Sequence, residues 1–512
     1  MLGMEKIIVL DFGGQYNQLI ARRVRQFKVY SEILAFNHDL SVLSDPDVKG
    51  IIFTGGPNSV YAEGSPTIDK KVFELGKPIL GICYGAQLMA HLLGGEVGTA
   101  EKGEYGPVGL HINNKSDIFE SVNKELSVFM SHRDQVNKLP EGFTRTASTD
   151  TCPNAAFSNE AKHLYAVQFH PEVTHSEQGL KMLENFVLNV CGAKQEWDSS
   201  YFVNKKVKEI QEKVGDHKVI CALSGGVDSA VTAALLEKAL GNQVICYFID
   251  HGLMRKNEGD EVEAVFGDKS RFDLHFNRLN KGDLFLGRLA GVNDPEKKRK
   301  IIGKTFIDCF GEALKDVANG AYLAQGTIYP DRVESGLGAS ATIKSHHNVG
   351  GLPKDLPFIG LVEPLDELFK DEVREVGYFL GLPKTLVERQ PFPGPGLATR
   401  IVGEVTPDKV RIVQEADYIF REEIAKSGIK PAQYFAALSN MKSVGVKGDE
   451  RSYDYSVVLR AVDTDDFMTA KPTRLPYELL TLVADRIVNE VRGVNRVLFD
   501  FTTKPPATIE LE

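Results

Sequence analysis

The sequence has few cysteines, and none of them stands in a paired motif. Its 512 residues contain six cysteines, with no C-x-x-C arrangement among them. This disfavours zinc ribbons and thioredoxin-like redox motifs. Scattered single cysteines in a long chain are typical of a reducing compartment, so we expect a cytoplasmic protein.

Long apolar runs and an excess of basic residues are also missing. No run is long enough to span a membrane, and the N-terminus shows no signal-peptide pattern. Lys and Arg number 60 against 70 Asp and Glu, which gives a formal net charge of −10. Nucleic-acid binders usually need a basic face. We therefore expect neither nucleic acid nor a membrane among the partners.

The domain organisation follows from the alternation of apolar and amphipathic segments. With 42% apolar and 25% charged residues, the chain has a globular composition and is too long for one core. Strand-like runs alternate with helical patterns, first from Lys6 and again from Lys218. This predicts an α/β protein with two doubly wound parallel sheets, followed by a smaller α+β domain. A Pro/Gly-rich boundary leads us to predict domains over 1–196, 197–387 and 388–512.

The string Gly-Ile-Cys-Tyr-Gly places Cys83 at a predicted turn from a strand to a helix. This is the arrangement of the nucleophile elbow of serine hydrolases, with sulfur in place of oxygen. The N-terminus of the following helix favours an anion, and hence a nucleophilic thiolate. An inert, buried cysteine is the alternative for this motif taken alone.

Two other segments supply the groups that a thiol nucleophile needs. The string Gln-Phe-His-Pro-Glu contains His170 as a candidate base and Glu172 as a candidate orienting group. The proline favours an extended backbone, on which residues two apart share a face. A glycine turn at Gly55 offers main-chain N–H groups that could hold an oxyanion together with that of Tyr84.

Cys83, His170 and Glu172, in this order, resemble the triad of class I glutamine amidotransferases. In that family the cysteine attacks the side-chain amide of glutamine, and ammonia is released. The resemblance implies that Cys83 is the nucleophile, His170 the base and then the acid, and Glu172 the orienting group. It assigns the oxyanion hole and the glutamine pocket to three further residues, Gly55, Tyr84 and Gln87.

A second glycine-rich turn follows a later apolar strand, in the string Ser-Gly-Gly-Val-Asp-Ser-Ala at 224–230. It lacks the spacing and the lysine of a P-loop, which disfavours an ordinary kinase or ATPase. The N–H groups around Gly225 and Gly226 can form an anion nest, and the following helix adds its positive dipole end. Asp228 would repel phosphate unless a cation lies between them, which predicts Mg²⁺.

This string resembles the pyrophosphate loop of the ATP pyrophosphatases, which cleave ATP between the α and β phosphates and place AMP on a substrate oxygen. One domain would then release ammonia, and the other would make the adenylated oxygen that ammonia displaces. ATP with Mg²⁺ is implied, and no organic cofactor. The residues implied for ATP or pyrophosphate are Ser224, Gly225, Gly226, Val227, Asp228, Ser229 and Ala230.

Motifs along the whole chain resemble, in order, the glutamine-hydrolysing GMP synthetase family. They include Lys-Lys-Arg-Lys-Ile-Ile-Gly at 297–303 and the tail that begins at Lys504. The resemblance implies glutamine, ATP and XMP as small-molecule partners and a homodimer formed by the C-terminal domain. It implies four residues for XMP and a mobile lid, Arg299, Lys344, Lys504 and Glu510. One departure is Leu511, where the family tail is expected to have tryptophan.

Three other functions remain open from the residues. The first is a related enzyme that adenylates RNA bases, although the acidic chain and the missing C-x-x-C count against it. The second keeps both reactions but uses another acceptor, such as a carboxylate. The third is an inactive amidotransferase that serves as a binding protein, and the intact triad and loop argue against it.

Overall fold

The computed structural model of the chain describes residues 3–267, 270–272, 274–315, 317, 319–336, 358–447, 449–464 and 469–512. These residues divide into two compact units. The first unit runs to Phe202 and takes in residues 330–336, and the second begins at Val203 and holds the other described residues. Lys344, predicted for the lid, lies outside the described residues.

The first unit is built on one sheet of nine strands. In chain order they are β1 (Lys6–Asp11), β2 (Tyr30–Ala35), β3 (Val48–Phe53), β4 (Ile79–Ile82), β5 (Glu96–Ile112), β6 (Glu125–Lys138), β7 (Thr144–Ser148), β8 (Ala156–Asn159) and β9 (Leu164–Val167). They lie in the order β2-β1-β3-β4-β9-β8-β7-β5-β6. The five strands from β2 to β9 are parallel, and β8, β7, β5 and β6 continue the sheet in antiparallel pairing.

The parallel part of this sheet is apolar along most of its length. Strand β4 is buried from end to end, as expected for a strand between two layers. The helices of the unit are α1 (Asn17–Gln26), α2 (Leu40–Leu43), α3 (Tyr84–Leu92) and α4 (Gly179–Glu184), the last continued by a π-helical turn (Asn185–Val190). The predicted parallel α/β sheet is confirmed, with an antiparallel extension in addition.

The second unit contains a parallel and a mainly antiparallel sheet. The parallel sheet has the order β12-β11-β10-β13-β14, formed by β10 (Lys218–Leu223), β11 (Val244–Asp250), β12 (His275–Asn280), β13 (Ala321–Ala324) and β14 (Gly360–Val362). The smaller sheet contains β15 (Gln433–Lys447), β16 (Glu450–Asp463), β17 (Lys471–Pro472) and β18 (Val494–Phe499). The predicted second parallel sheet and smaller C-terminal α+β part are confirmed.

The helices from residue 199 onward complete the fold. They are α5 (Ser199–Val214), α6 (Val227–Leu240), α7 (Glu258–Phe266), α8 (Gly282–Leu289), α9 (Pro295–Leu314), α10 (Tyr329–Gly336), α11 (Lys370–Phe379), α12 (Lys384–Val387), α13 (Pro407–Ser427) and α14 (Tyr477–Glu490). In the second unit one hydrophobic core contains residues of both sheets, for example Leu323 and Leu459, and residues of α13, such as Phe420. Leu511 packs against a smaller apolar cluster that includes Phe435.

Two general properties of the chain bear on its surroundings. Among the described residues, no helix has both the length and the apolar character needed to cross a bilayer. The six cysteines are all free thiols.

Candidate active sites

Cys83 occupies a strained turn between β4 and α3. Its φ is +51° and its ψ is −107°, a conformation that residues with a side chain rarely adopt. Gly81 and Gly85 flank this turn because there is no room for a side chain at either position. A Cβ at Gly81 would lie 2.7 Å from the nitrogen of Ala86, and a Cβ at Gly85 would lie 2.5 Å from the carbonyl oxygen of Phe53. The helix backbone therefore packs against the strands too closely for other residues.

Strand pairing brings the candidate base to this turn. Strand β9 lies beside β4, with Ile82 opposite Val167, so the segments that follow the two strands meet at one edge of the sheet. The ring of His170 lies near the Cys83 side chain, since a Cβ on Gly55 would be 3.3 Å from Cε1 of His170 and 3.8 Å from Cβ of Cys83. Its Nδ1 lies 2.7 Å from Oε1 of Glu172. All three predicted triad residues are buried.

The electrostatics of the triad favour a charged imidazole. Burial lowers the pKa of His170, but the Glu172 carboxylate and the Cys83 sulfur outweigh this and raise it from 6.5 to about 10. The ring is therefore protonated at neutral pH. The ring thus carries a proton that it can give to a leaving group.

Two main-chain amides lie beside the thiol. A Cβ at Gly55 would be 3.3 Å from Cε1 of His170 and 3.8 Å from Cβ of Cys83, so Gly55 leaves open the space next to both side chains. Tyr84 is the first residue of α3. In the described part of the chain, neither the Gly55 nor the Tyr84 amide donates to a protein acceptor. Such amides can stabilise an oxyanion.

Gln87 is linked to the thiol by a residue to which the sequence analysis gave no role. Its Nε2 donates to the carbonyl oxygen of Asp134 at 2.7 Å and to Oε1 of Gln168 at 3.1 Å. Nε2 of Gln168 in turn lies 3.6 Å from the sulfur of Cys83. The available signal was that Gln168 stands two residues before His170 on the same extended segment.

The second predicted site is the turn from β10 to α6. Gly225 has a φ of +80°, and Gly226 precedes the first residue of the helix. The hydroxyl oxygens of Ser224 and Ser229 are 3.1 Å apart, and Oγ of Ser229 donates to the carbonyl oxygen of Gly226 at 3.0 Å. The string thus forms one compact turn at a helix N-terminus, a place that favours phosphate.

Two cations contact this turn, and the sequence analysis assigned neither of them to it. Nη1 of Arg389 donates to the carbonyl oxygen of Gly225 at 2.9 Å, and Nζ of Lys370 donates to Oδ2 of Asp228 at 2.5 Å. Both residues lie far along the chain, after the parallel sheet is complete. No spacing to the turn could have singled them out, because their contacts depend on tertiary packing.

Asp228 fits the predicted cation. Among the described residues, its Oδ1 is buried without a hydrogen-bond partner, while Oδ2 pairs with Lys370. Carboxylate oxygens are ligands that Mg²⁺ prefers. Asp228 therefore has one oxygen free for such an ion.

A cavity of about 130 Å³ lies at the carboxyl end of the neighbouring strand β11, where parallel sheets usually bind their ligands. It is lined by charged side chains that include Asp250, Glu258 and Arg278. Glu258 also connects it to the turn, because a Cβ at Gly225 would lie 3.4 Å from its Oε1.

The described residues predicted for XMP have separate surroundings in the second unit. Arg299 is exposed on α9, with Oε2 of Glu296 at 4.0 Å from its Nη1. Glu510 accepts from Nε of Arg400 at 3.1 Å and from Nε2 of Gln433 at 2.9 Å. The main chain of Lys504 pairs with that of Ala470. The contacts of the described residues thus join Glu510 to Arg400 rather than to Arg299.

Comparisons with known families match three parts of the chain. Residues 8–190 match the class-I glutamine amidotransferase model. Residues 217–269 match the HUP domain model of tRNA methyl transferase, and residues 422–511 match the model of the GMP synthase C-terminal domain. The first match contains the candidate triad, and the second contains the turn at 224–230.

Full-length relatives are similar over almost the entire chain. The protein named GMP synthase [glutamine-hydrolyzing] from Clostridium botulinum (strain Alaska E43 / Type E3) is 59% identical, over 99% of both chains. The protein of the same name from Lachnospira eligens is 56% identical over 100% of both. Among solved structures, a putative GMP synthase subunit from Thermoplasma acidophilum is 31% identical. It covers 41% of this chain and 98% of its own, with a TM-score of 0.33.

Proposed function

This chain belongs to the glutamine-hydrolysing GMP synthase family, and from that membership we propose how its residues divide the reaction. It is a ligase that uses glutamine as the nitrogen source in GMP synthesis. The substrates are glutamine, ATP and XMP. The proposed overall reaction converts XMP, ATP, glutamine and water into GMP, AMP, pyrophosphate and glutamate.

The triad would hydrolyse glutamine through a covalent thioester. The Cys83 thiolate attacks the amide carbon, and the imidazolium of His170 donates its proton to the departing ammonia. His170 then takes a proton from the water that cleaves the thioester, while Glu172 holds the ring in place. The amides of Gly55 and Tyr84 stabilise the negative oxygen of the tetrahedral intermediates. The observation that carries this proposal is that Cys83, His170 and Glu172 are buried together at the strained turn, with Nδ1 of His170 2.7 Å from Oε1 of Glu172.

The turn at 224–230 would hold the β and γ phosphates of ATP while AMP is transferred to an oxygen of XMP. Its N–H groups and hydroxyls suit phosphate oxygens, and Lys370 adds a positive charge beside Asp228. Mg²⁺ held by Asp228 would neutralise charge on the phosphates. Ammonia then attacks the carbon that bears the adenylated oxygen, and AMP leaves together with that oxygen, so that a C–O bond is replaced by a C–N bond. Arg299, Lys344, Lys504 and Glu510 remain proposed XMP and lid residues.

The C-terminal sheet supports the proposed homodimer. In the β15–β16 hairpin, Val444 lies opposite Tyr453, and their exposed fractions are 62% and 65%. Val446, two residues along on the same face, is 73% exposed. Contiguous exposed apolar side chains are typical of an interaction surface. We keep the domains at 1–196, 197–387 and 388–512 as proposals, with dimerisation in the last.

We also propose a cytoplasmic location. The six cysteines are free, and a protein of this size with unpaired thiols suits a reducing compartment. Nucleotide substrates suit the same compartment.

The test is GMP formation by a Cys83→Ala variant, with glutamine and then ammonium as the nitrogen source. We expect loss of the glutamine reaction by a factor of about 10³ or more, since the nucleophile is gone, with the ammonium reaction retained. Cys191→Ala, in the same unit but outside the triad, should keep both reactions. A Cys83→Ala enzyme that still used glutamine would rule out Cys83 as the nucleophile. Wild-type enzyme that aminated another acceptor instead of XMP would overturn the substrate.

A further inference from the structure

We propose that Glu104 and His132 are positioning residues of the glutamine site, and that they act through the main-chain carbonyl of Asp134. The proposal rests on the role given to Cys83 above. It assigns a function to a buried polar cluster on the antiparallel extension of the first sheet, which the proposed mechanism does not use.

Glu104 and His132 form a buried pair across two strands. They lie directly opposite each other in the antiparallel register of β5 and β6. His132 continues the inward-facing series of Leu126, Val128 and Met130, at a position where the alternation of β6 predicts an apolar residue. Its Nε2 donates to Oε2 of Glu104 at 3.0 Å. A buried polar pair of this kind is costly unless every group is hydrogen-bonded.

The carboxylate is held firmly by two threonines. The hydroxyls of Thr149 and Thr151 donate to Oε1 of Glu104 at 2.6 and 2.5 Å. Burial raises the pKa of Glu104, but the hydrogen bonds from His132, Thr149 and Thr151 outweigh it and lower the pKa below 4.5. Glu104 is therefore a charged and fixed acceptor for His132.

The other nitrogen of the ring reaches the glutamine site. Nδ1 of His132 lies 3.0 Å from the carbonyl oxygen of Asp134, so both ring nitrogens face acceptors. The same carbonyl accepts from Nε2 of Gln87 at 2.7 Å. It is therefore the point at which the buried pair and the proposed glutamine pocket meet.

From Gln87 the hydrogen bonds continue to the nucleophile. Gln87 donates to Gln168, whose amide lies 3.6 Å from the Cys83 sulfur. Strand β6, which carries His132 and Asp134, also contacts the thiol directly: the carbonyl oxygen of Ser131 is 3.8 Å from the Cys83 sulfur. The stretch of β6 from Ser131 to Asp134 thus contacts both Gln87 and the Cys83 thiol. The side chain of His132 holds this stretch in place through its contact with the carbonyl of Asp134.

The cluster also has the spacing of a metal site, since one ligand atom each of Glu104, His132 and Cys152 lies within 4.8 Å of the others. The hydrogen bonds argue for the positioning role. Both oxygens of Glu104 and both ring nitrogens of His132 already have partners. Burial, with the nearby charge of Glu104, raises the pKa of Cys152 to about 12, so its thiol is protonated.

The experiment is steady-state GMP formation by full-length Glu104→Gln at saturating ATP and XMP, with glutamine varied. The substitution keeps the shape but removes the charge that holds His132. We expect the KM for glutamine to rise by about tenfold, as for one weakened charge-assisted hydrogen bond, with kcat changed much less. The parameters with ammonium as nitrogen source should stay unchanged.

Two further variants make the result decisive. Thr149→Val keeps the charge and removes one support of the carboxylate, so it should raise the KM for glutamine by a smaller factor; it decides the matter if Glu104→Gln does not fold. Cys152→Ser disturbs the same buried place without touching the hydrogen-bonded series, and it should leave KM unchanged.

Several results would overturn the proposal. One is an unchanged KM in Glu104→Gln, and another is an equal rise in Cys152→Ser. A third is a parallel fall of the ammonium reaction, which would indicate general damage. A fourth is stoichiometric metal in the purified enzyme that is lost in both Glu104→Gln and Cys152→Ser, because the cluster would then be a metal centre. Glutamine use by Cys83→Ala would instead refute the nucleophile, so the two failures are distinguishable.

Discussion

Cys83 combines backbone strain with an adjacent buried charge. A side chain at a φ of +51° costs roughly 1–3 kcal/mol, and such strain persists only where the surrounding structure enforces it. Here the close packing of Gly81 and Gly85 against neighbouring backbone enforces it. The turn gives up stability and in return directs the sulfur towards His170.

The raised pKa of His170 makes the stability of the first unit depend on pH. The pKa lies at about 10 in the folded protein against an ordinary 6.5, so the folded state binds the proton more tightly than the unfolded chain. The resulting stabilisation is fully present below pH 6.5 and is lost as the pH rises through about 10. In Glu172→Gln only burial and the sulfur act on the ring, so its pKa should fall.

We therefore expect the difference in Tm between wild type and Glu172→Gln to be largest near pH 6.5 and to narrow towards pH 10. Calorimetry over that range measures it. The exposed pair of His111 and Glu125 provides the control, because Glu125→Gln removes a carboxylate from a histidine in solvent and should change the Tm only slightly. If the Tm difference between wild type and Glu172→Gln stayed constant from pH 6.5 to 10, the stabilising interaction between His170 and Glu172 would be contradicted.

For individual residues, the sequence predicted which side chains form the triad, but it did not predict which buried residues contact each other. Cys83, His170 and Glu172 stand in short strings whose order and spacing carry chemical meaning. Glu104 and His132 are opposite each other only because of the register of two long antiparallel strands, one of them with an irregularity just before Glu104. A single sequence does not show that register, so this pair could not be found from it.

Phosphate binding by the turn before α6 would depend on the whole helix, and not only on the residues of the turn. The helix supplies its N-terminal dipole, and the turn is shaped by a glycine at a φ of +80°. Arg389 closes the arrangement from outside, since it donates to the carbonyl oxygen of Gly225 and to Oε1 of Glu258 at 2.9 Å each. Inside the turn, the N–H groups of Ser224 and Gly226 donate to the hydroxyls of Ser229 and Ser224, at 3.2 and 3.4 Å.

Gly225→Ala should impair the use of ATP. The positive φ makes alanine strained by about 1–2 kcal/mol, and its Cβ would lie 3.1 Å from Cε of Met254. We expect the KM for ATP in the ammonium-dependent reaction to rise at least tenfold. Gly241→Ala, at the other end of the same helix, has a φ of +57° with open space around it. It should lose stability but keep the KM for ATP, and an equal loss of ATP use in both would contradict the role of the turn.

The parallel strands were predictable because continuous apolar runs followed by glycine turns are a local signal. The antiparallel extension was not predicted. Strand β5 is mostly exposed or half-buried, so it lacks an apolar run, and it is built by pairing with β6 and β7. Its contribution to the first site therefore became visible only in the structure.

At the scale of the whole molecule, an exposed apolar face on the C-terminal sheet bears on the proposed homodimer. The apolar hairpin face of Val444, Val446 and Tyr453 lies on the C-terminal sheet. We expect Val444→Asp to convert the proposed dimer into monomers, because a charge would be buried at the proposed interface. Light scattering coupled to size exclusion measures this.

Leu180, an exposed apolar residue of α4 in the first unit with an exposed fraction of 43%, is the control. Leu180→Asp should leave the assembly unchanged. Wild-type protein that is monomeric at micromolar concentration, or a dimer that persists in Val444→Asp, would show that this face is not the interface.

The number of parallel sheets and the C-terminal α+β part could be predicted at this scale, because each begins with its own pattern. The shared core of the second unit could not. Leu323 and Leu459 belong to different predicted domains but to one apolar cluster, and contacts between segments so distant in sequence leave no local pattern.

The pairing of β9 with β4 has a consequence during protein synthesis. The ribosome makes the elbow of Cys83 well before the segment with His170 and Glu172, and β5 to β8 come between them. A nascent chain that has folded through β4 therefore carries a thiol with no base beside it. The nascent protein cannot hydrolyse glutamine through the triad until β9 has paired with β4. The order of the strands in the sheet therefore delays glutamine hydrolysis until the first unit is nearly complete.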